Sequence, residues 1–223
     1  MFHIKICGVR FERDLVAVSQ SAAGAVGFNF FPKSIRYLDP ASPATAELSA
    51  RAEELGLTRV GVFVNDKADD IERVVDAVGL DHVQLHGDEP VELGRELMSR
   101  GMRVIRAVKL PTQPVRAEAI DDRAKEWVDS GCGLLLDADS GAGHGGSGEE
   151  LDWESIGRWA SKNRRVPWVL AGGLTVDNVS DAIRASGALA VDVASGVENP
   201  RGTKSRPLID QFARIATGAL AGR

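Results

Sequence analysis

The sequence predicts an α/β fold, a single-domain (β/α)8 TIM barrel, and three observations carry that expectation. Eight apolar runs rich in Val, Ile, Leu and Phe recur along the chain, amphipathic stretches alternate with them from end to end, and no Pro- or Ser-rich linker divides the series. A length of 223 residues suits one large domain, so a single barrel domain is expected over 1–223. An open, doubly wound sheet has fewer strands as a rule and a dinucleotide fingerprint after the first.

The strand candidates run from His3 to Cys7, Ala25 to Phe30, Arg59 to Phe63, His82 to Leu85, Arg103 to Val108, Gly133 to Asp137, Pro167 to Ala171 and Leu189 to Val193. Helix candidates between them include Ala41 to Leu55, Ala68 to Val78, Pro90 to Arg100, Trp153 to Lys162 and Val176 to Ala185, and Pro207 to Leu220 closes the chain. One low-complexity patch, Ser140 to Gly148, follows the sixth strand and is expected to be a loop on the active face.

Composition narrows the function classes. Hydrophobic residues make up 43% and charged residues 26%, as in ordinary globular proteins. A formal net charge of -5 with dispersed Lys and Arg argues against nucleic acid, whose binding draws on clustered cations. No apolar run approaches the roughly 20 residues that cross a bilayer, and the N-terminal residues lack a signal-peptide pattern, so a cytoplasmic protein is expected. Cys7 and Cys132 form no disulfide framework, and His3, His82, His86 and His144 show no ligand spacing, so neither a metal nor an organic cofactor is expected.

Side chains along a barrel strand alternate between the interior and the helix layer. This parity sets Lys5 and Cys7 opposite Ile4 and Ile6, Gln84 and His86 opposite Val83 and Leu85, Asp137 opposite Leu134 and Leu136, and Asp192 opposite Val191 and Val193. Polar groups thus point inward at the C-terminal ends of four strands, where barrel enzymes assemble their sites. Buried charge needs a partner, and Lys5 with Asp192, on adjacent first and eighth strands, is the expected pair.

Cys7 ends the first strand beside the cations of Lys5 or Arg36, which favour a thiolate; a small buried hydrophobe is the alternative. Cys132 starts its strand at the far end and is expected to be structural. Asp137 is a candidate general acid or a cap for the following loop. Gly141 to Gly146 matches G-x-G-x-x-G only formally, because no helix opens on it and Glu149 and Glu150 would repel a pyrophosphate. Gly172 and Gly173 follow the seventh strand and Ser195 and Gly196 the eighth, the two places where barrels hold a substrate phosphate; two tight turns are the plainer reading.

Taken in order, Lys5-Ile6-Cys7-Gly8, Gly27-Phe28 with Ser34 and Arg36-Tyr37, Val60-Gly61-Val62-Phe63, Val83-Gln84-Leu85-His86-Gly87-Asp88-Glu89, Gly145-Gly146-Ser147-Gly148, Leu170-Ala171-Gly172-Gly173-Leu174 and Ser195-Gly196-Val197-Glu198 resemble the phosphoribosylanthranilate isomerase family along nearly the whole chain. The resemblance implies an Amadori rearrangement of N-(5-phosphoribosyl)anthranilate in tryptophan biosynthesis. It implies Asp137 as general acid, Cys7 as general base, Arg36 facing the anthranilate carboxylate, and phosphate contacts at Gly172, Gly173, Ser195 and Gly196. The expected partner is this phosphorylated small molecule, with a monomer as the default state and a homodimer as the alternative.

The chain departs from the family pattern at Val9-Arg10-Phe11, Glu149, Ala194 and Ser205, none of which is Cys7, Arg36 or Asp137. Two other readings compete. A related sugar isomerase of histidine biosynthesis would place Asp at position 7 and show an internal repeat. A noncatalytic phosphate-binding barrel would leave Cys7 and Asp137 without work.

Overall fold

The computed structural model describes residues 2–112, 116–138 and 151–222. Eight parallel strands close in chain order into one barrel: β1 (Ile4–Cys7), β2 (Ala25–Asn29), β3 (Thr58–Phe63), β4 (His82–Leu85), β5 (Val104–Leu110), β6 (Gly133–Ala138), β7 (Trp168–Leu170) and β8 (Val191–Val193). Among the described residues the helices are α1 (Glu12–Ser19), α2 (Pro43–Glu54), α3 (Ala68–Val78), α4 (Val91–Ser99), α5 (Ala117–Asp129), α6 (Trp153–Lys162), α7 (Val179–Ser186) and α8 (Arg206–Ala221). None is long and apolar enough to cross a membrane. The patch from Ser140 to Gly148, its formal glycine fingerprint and Glu149 lie outside the described residues.

Every expected strand is present, its ends shifted by at most two residues. α2 begins at Pro43 rather than Ala41 because the Asp39 carboxylate accepts from Ala41 N at 2.9 Å and holds that segment in a turn, after which Pro43 opens the helix. α7 begins at Val179 rather than Val176. Asn178 Oδ1 accepts from Thr175 N at 2.8 Å and its Nδ2 donates to Gly173 O at 2.9 Å, which bends the connection first. The helices α1 and α5 were not among the sequence candidates. The inner face of α1 carries an acid, Asp14, beside Leu15 and Val18, and α5 buries only Ala117, Ile120, Ala124 and Trp127 among many charges, so both apolar stripes are faint.

Strand register fixes what faces inward. Lys5 lies level with Ala25 and Asp192, Val62 with Gln84, Gln84 with Ile105, and Leu135 with Ala107 and Val169. The interior is therefore a small apolar plug of Phe2, Ala25, Val60, Ile105, Ala107, Leu135, Val169, Ala171 and Ala190. The larger core, with Ile4, Ile6, Phe28, Leu134, Leu136 and Val191, packs between barrel and helices. Above the plug the inward positions turn polar.

Candidate active site

At the C-terminal ends of the strands one pocket is lined by Cys7 of β1, Gln84 of β4 with His86 just beyond it, Asp137 of β6 and Asp192 of β8. Gly172 and Gly173 after β7, Ala194 and Ser195 after β8, and Arg36 from the β2–α2 connection also line it. Six of the seven site residues expected from sequence thus meet in one place. Gly196 is the exception: it does not line this pocket, and a Cβ there would lie 1.9 Å from the Leu174 carbonyl oxygen, so it serves close packing of two loops.

Cys7 is 9% exposed, and its sulfur occupies space that a side chain at position 27 would fill, since a Cβ on Gly27 would sit 2.7 Å from Sγ. The chain then turns at Gly8 with φ +77°, where a Cβ would also strike Arg36 Cδ at 2.2 Å. Burial pushes the Cys7 thiol above its ordinary 9.0, although Lys5, Lys204 and Arg36 pull the other way. The cations expected beside Cys7 are present, but desolvation outweighs them, contrary to the expectation of a favoured thiolate.

Beneath Cys7, the Lys5 ammonium is fully buried and donates to Asp192 Oδ1 at 2.8 Å and to Gln84 Oε1 at 3.0 Å. The expected ion pair is real, and Gln84 joins it as a second acceptor. Burial alone would lower the Lys5 pKa; Asp192 and Cys7 more than offset it and raise the value above 10.5. The line continues across the barrel: Gln84 Nε2 is 2.9 Å from His86 Nδ1, and His86 Nε2 is 3.2 Å from Asp137 Oδ2. Asp137 Oδ1 accepts from Ala138 N at 2.9 Å.

On the other side of Cys7, Arg36 meets Glu198 through Nε to Oε1 and Nη2 to Oε2, and Lys204 Nζ donates to Glu198 Oε1 and to Ala194 O. Burial would push the Glu198 carboxyl up, but Arg36 and Lys204 hold it at about 2. The sequence reading missed Glu198 and Lys204 as site components. Glu198 had been quoted in the Ser195–Glu198 run, and its signal was an acid placed directly after the apolar Val197. Parity had turned Gln84 and His86 inward without naming their partners.

The remaining pieces are backbone. Gly172 and Gly173 adopt φ 79° and 65°, a turn open to glycine, and Ser195–Val197 forms one 3-10 turn. Gly172, Gly173, Ala194 and Ser195 of these loops line the pocket, and glycine-containing turns of this kind can cradle an anion. Cys132 is buried before β6, with its sulfur 3.9 Å from that of Met98 and away from the pocket. Among the described residues, no group of three or more His, Cys, Asp or Glu is arranged to hold a metal ion.

A buried thiol and a carboxyl on separate strands, a held guanidinium and two glycine-lined loops suit acid–base chemistry on a small anion. The sequence matches the family model of N-(5'-phosphoribosyl)anthranilate (PRA) isomerase over residues 4–214. An N-(5'-phosphoribosyl)anthranilate isomerase of Myxococcus xanthus is 42% identical over 215 residues, 96% of this chain and 95% of that protein. The crystal structure of phosphoribosyl anthranilate isomerase from Thermotoga maritima aligns with TM-score 0.84 and 39% identity over 98% of this chain and all (100%) of that one. A phosphoribosyl anthranilate isomerase crystallised in complex with reduced 1-(o-carboxyphenylamino)-1-deoxyribulose 5-phosphate aligns with TM-score 0.80 and 37% identity over 98% of this chain and 100% of that one. Likeness that runs through all eight strands and not through isolated motifs makes this chain a member of the phosphoribosylanthranilate isomerase family.

Proposed function

We infer that the chain catalyses the Amadori rearrangement of N-(5-phosphoribosyl)anthranilate to 1-(2-carboxyphenylamino)-1-deoxyribulose 5-phosphate, a step of tryptophan biosynthesis. The observation that carries this function is the meeting of Cys7 and Asp137 in one pocket with the loops after β7 and β8. A relative of the same fold has been crystallised with a reduced form of that product, which supports the same substrate class here.

In this proposal Asp137 gives a proton to the furanose ring oxygen as the C1–O bond breaks and the anilino nitrogen's electron pair forms the protonated Schiff base. Cys7 as thiolate then removes the C2 proton, and the C–H electron pair becomes the C1–C2 double bond of an enolamine. Return of a proton to C1 and loss of one from the C2 hydroxyl give the ketose. Acid and base approach the sugar from different strands, as two separate transfers require. Burial pushes the Cys7 thiol up while Lys5, Lys204 and Arg36 pull it down, and these three cations are the groups that would stabilise the thiolate in this step.

Arg36 is the candidate for the anthranilate carboxylate. Glu198 takes Nε and Nη2 and leaves the Nη1 side of the fork uncommitted to that pair. The backbone at Gly172, Gly173 and Ser195, supported by the packing of Gly196, is the candidate phosphate cradle. A monomer is the default state with a homodimer as the alternative, and a cytoplasmic location completes the proposal. Mixing purified protein with freshly made phosphoribosylanthranilate tests it: adduct fluorescence should decay with protein concentration, and ligand binding without decay would leave a binding-only barrel.

A further inference from the structure

We propose that Lys5 and Gln84 lock His86 in the neutral tautomer that carries its proton on Nε2, so that Gln84 and His86 act as positioning residues for the Asp137 carboxyl. Its catalytic consequence rests on Asp137 being the general acid. The assignment follows from which atoms can donate. An ammonium only donates, so the Gln84 atom that Lys5 Nζ reaches at 3.0 Å is the amide oxygen. The amide nitrogen is thereby turned toward His86 Nδ1, at 2.9 Å.

An amide nitrogen also only donates, and Nδ1 must therefore be bare. An imidazolium would set two N–H groups against each other at that distance. Gln84 cannot relieve the clash by flipping, because its nitrogen would then face the fully buried ammonium of Lys5, itself anchored by Asp192. A neutral ring with a bare Nδ1 has its proton on Nε2, which lies 3.2 Å from Asp137 Oδ2.

The consequence lies at Asp137. Ala138 N–H donates to Oδ1 and the Nε2 edge of His86 faces Oδ2 across 3.2 Å, so the carboxyl is flanked at both ends. Its transferable proton is left to the lone pairs open to the pocket. When that proton passes to the ring oxygen, the Ala138 N–H and the neutral Nε2–H edge of His86 face the carboxylate that remains. The opposite tautomer would aim a bare ring nitrogen at the carboxylate and repel it. A polar line that starts at a buried ion pair under β1 and β8 thus sets the orientation of an acid on β6.

Long-range proton–nitrogen correlation spectra of protein labelled with 15N-histidine test this directly, with the His86 signals assigned by their loss in His86→Asn. In the wild type at neutral pH, Nε2 should carry the proton and Nδ1 should be bare; a protonated Nδ1, alone or with Nε2, overturns the proposal. Gln84→Glu supplies a carboxylate that accepts from Lys5 and from Nδ1–H alike, so it should put a proton on Nδ1. That variant should lose at least about tenfold in kcat with KM changed less than about threefold, the pattern of a lost transition-state contact. A protonated Nδ1 in this variant with wild-type kcat removes the catalytic half of the idea. The wild-type spectrum decides even if Gln84→Glu fails to fold. The two assignments fail separately: near-wild-type turnover of Asp137→Asn ends the acid role, whereas the tautomer is read without any turnover.

Discussion

The Arg36 guanidinium and the Glu198 carboxylate form a two-point pair, Nε to Oε1 at 2.6 Å and Nη2 to Oε2 at 2.7 Å, in which Glu198 also holds Lys204 and the Gly202 N–H. Glu198 should therefore decide where the Arg36 fork points. Replacing it with Gln keeps the shape and removes the charge; KM should rise at least about tenfold, with kcat changed less. Steady-state kinetics showing an unchanged KM would dissociate Arg36 placement from Glu198.

The same carboxylate predicts an acid dependence. Its pKa of about 2 in the folded chain lies below the ordinary 4.5, so its stabilising effect is present above pH 4.5 and is lost as pH falls from there toward 2. The difference of about two and a half pH units corresponds to about 3 kcal/mol. Urea unfolding from pH 6 down to pH 2.5 should show the wild type and Glu198→Gln converging as the pH falls. Curves that stay parallel through this window would refute the linkage.

Cys7 should resist alkylation at neutral pH, because burial raises its thiol above 9.0 and little nucleophilic thiolate is present. Iodoacetamide labelling, followed by mass spectrometry, should accelerate as pH climbs beyond 9 and should be blocked by a bound product analogue. Rapid labelling at pH 7 would contradict the dominance of desolvation.

Cys7→Ala and Asp137→Asn should each depress turnover by about 10²- to 10⁴-fold while leaving the fold intact. The two should stop at different points. Cys7→Ala should still open the ring, and Asp137→Asn should not, a distinction accessible to single-turnover measurements with C2-deuterated substrate. Turnover close to wild type in either variant withdraws that residue's role.

Lys5→Met should cost about 3–5 kcal/mol, because Asp192 would be left as an unpaired charge facing the barrel interior. Adding Asp192→Leu should recover much of this loss, as replacement of both partners removes the orphan. Denaturant midpoints of the two variants and the wild type measure it; equal stability of Lys5→Met and wild type would be the contrary result.

Much of this was readable before any coordinates, for identifiable physical reasons. Alternation at period two put Lys5, Gln84, His86, Asp137 and Asp192 on the inner face, and the register of β1 with β8 then made Lys5 and Asp192 neighbours. Gln84 escaped notice as a partner of Lys5 because contact across the barrel interior leaves no local pattern. The Arg36–Glu198 pair, 162 residues apart, is invisible for the same reason. The cations around Cys7 were foreseeable from composition near the strand end, but the depth of its burial was not, and burial decides the direction of its pKa. For α1 and α5 the apolar face is interrupted by Asp14 or reduced to alanines, and periodicity had little to register.

The polar line from Asp192 through Lys5, Gln84 and His86 to Asp137 also bears on how far this gene could be cut. Lys5, Gln84 and His86 belong to the first four βα units, whereas Asp137 and Asp192 belong to the last four. A fragment ending after α4 would bury an ammonium without its carboxylate, and the complementary fragment would hold Asp192 without Lys5. Neither piece alone satisfies its own interior. Two separately expressed fragments would be driven to find each other by charge as well as by the exposed strand edges, and activity would return only on reassociation.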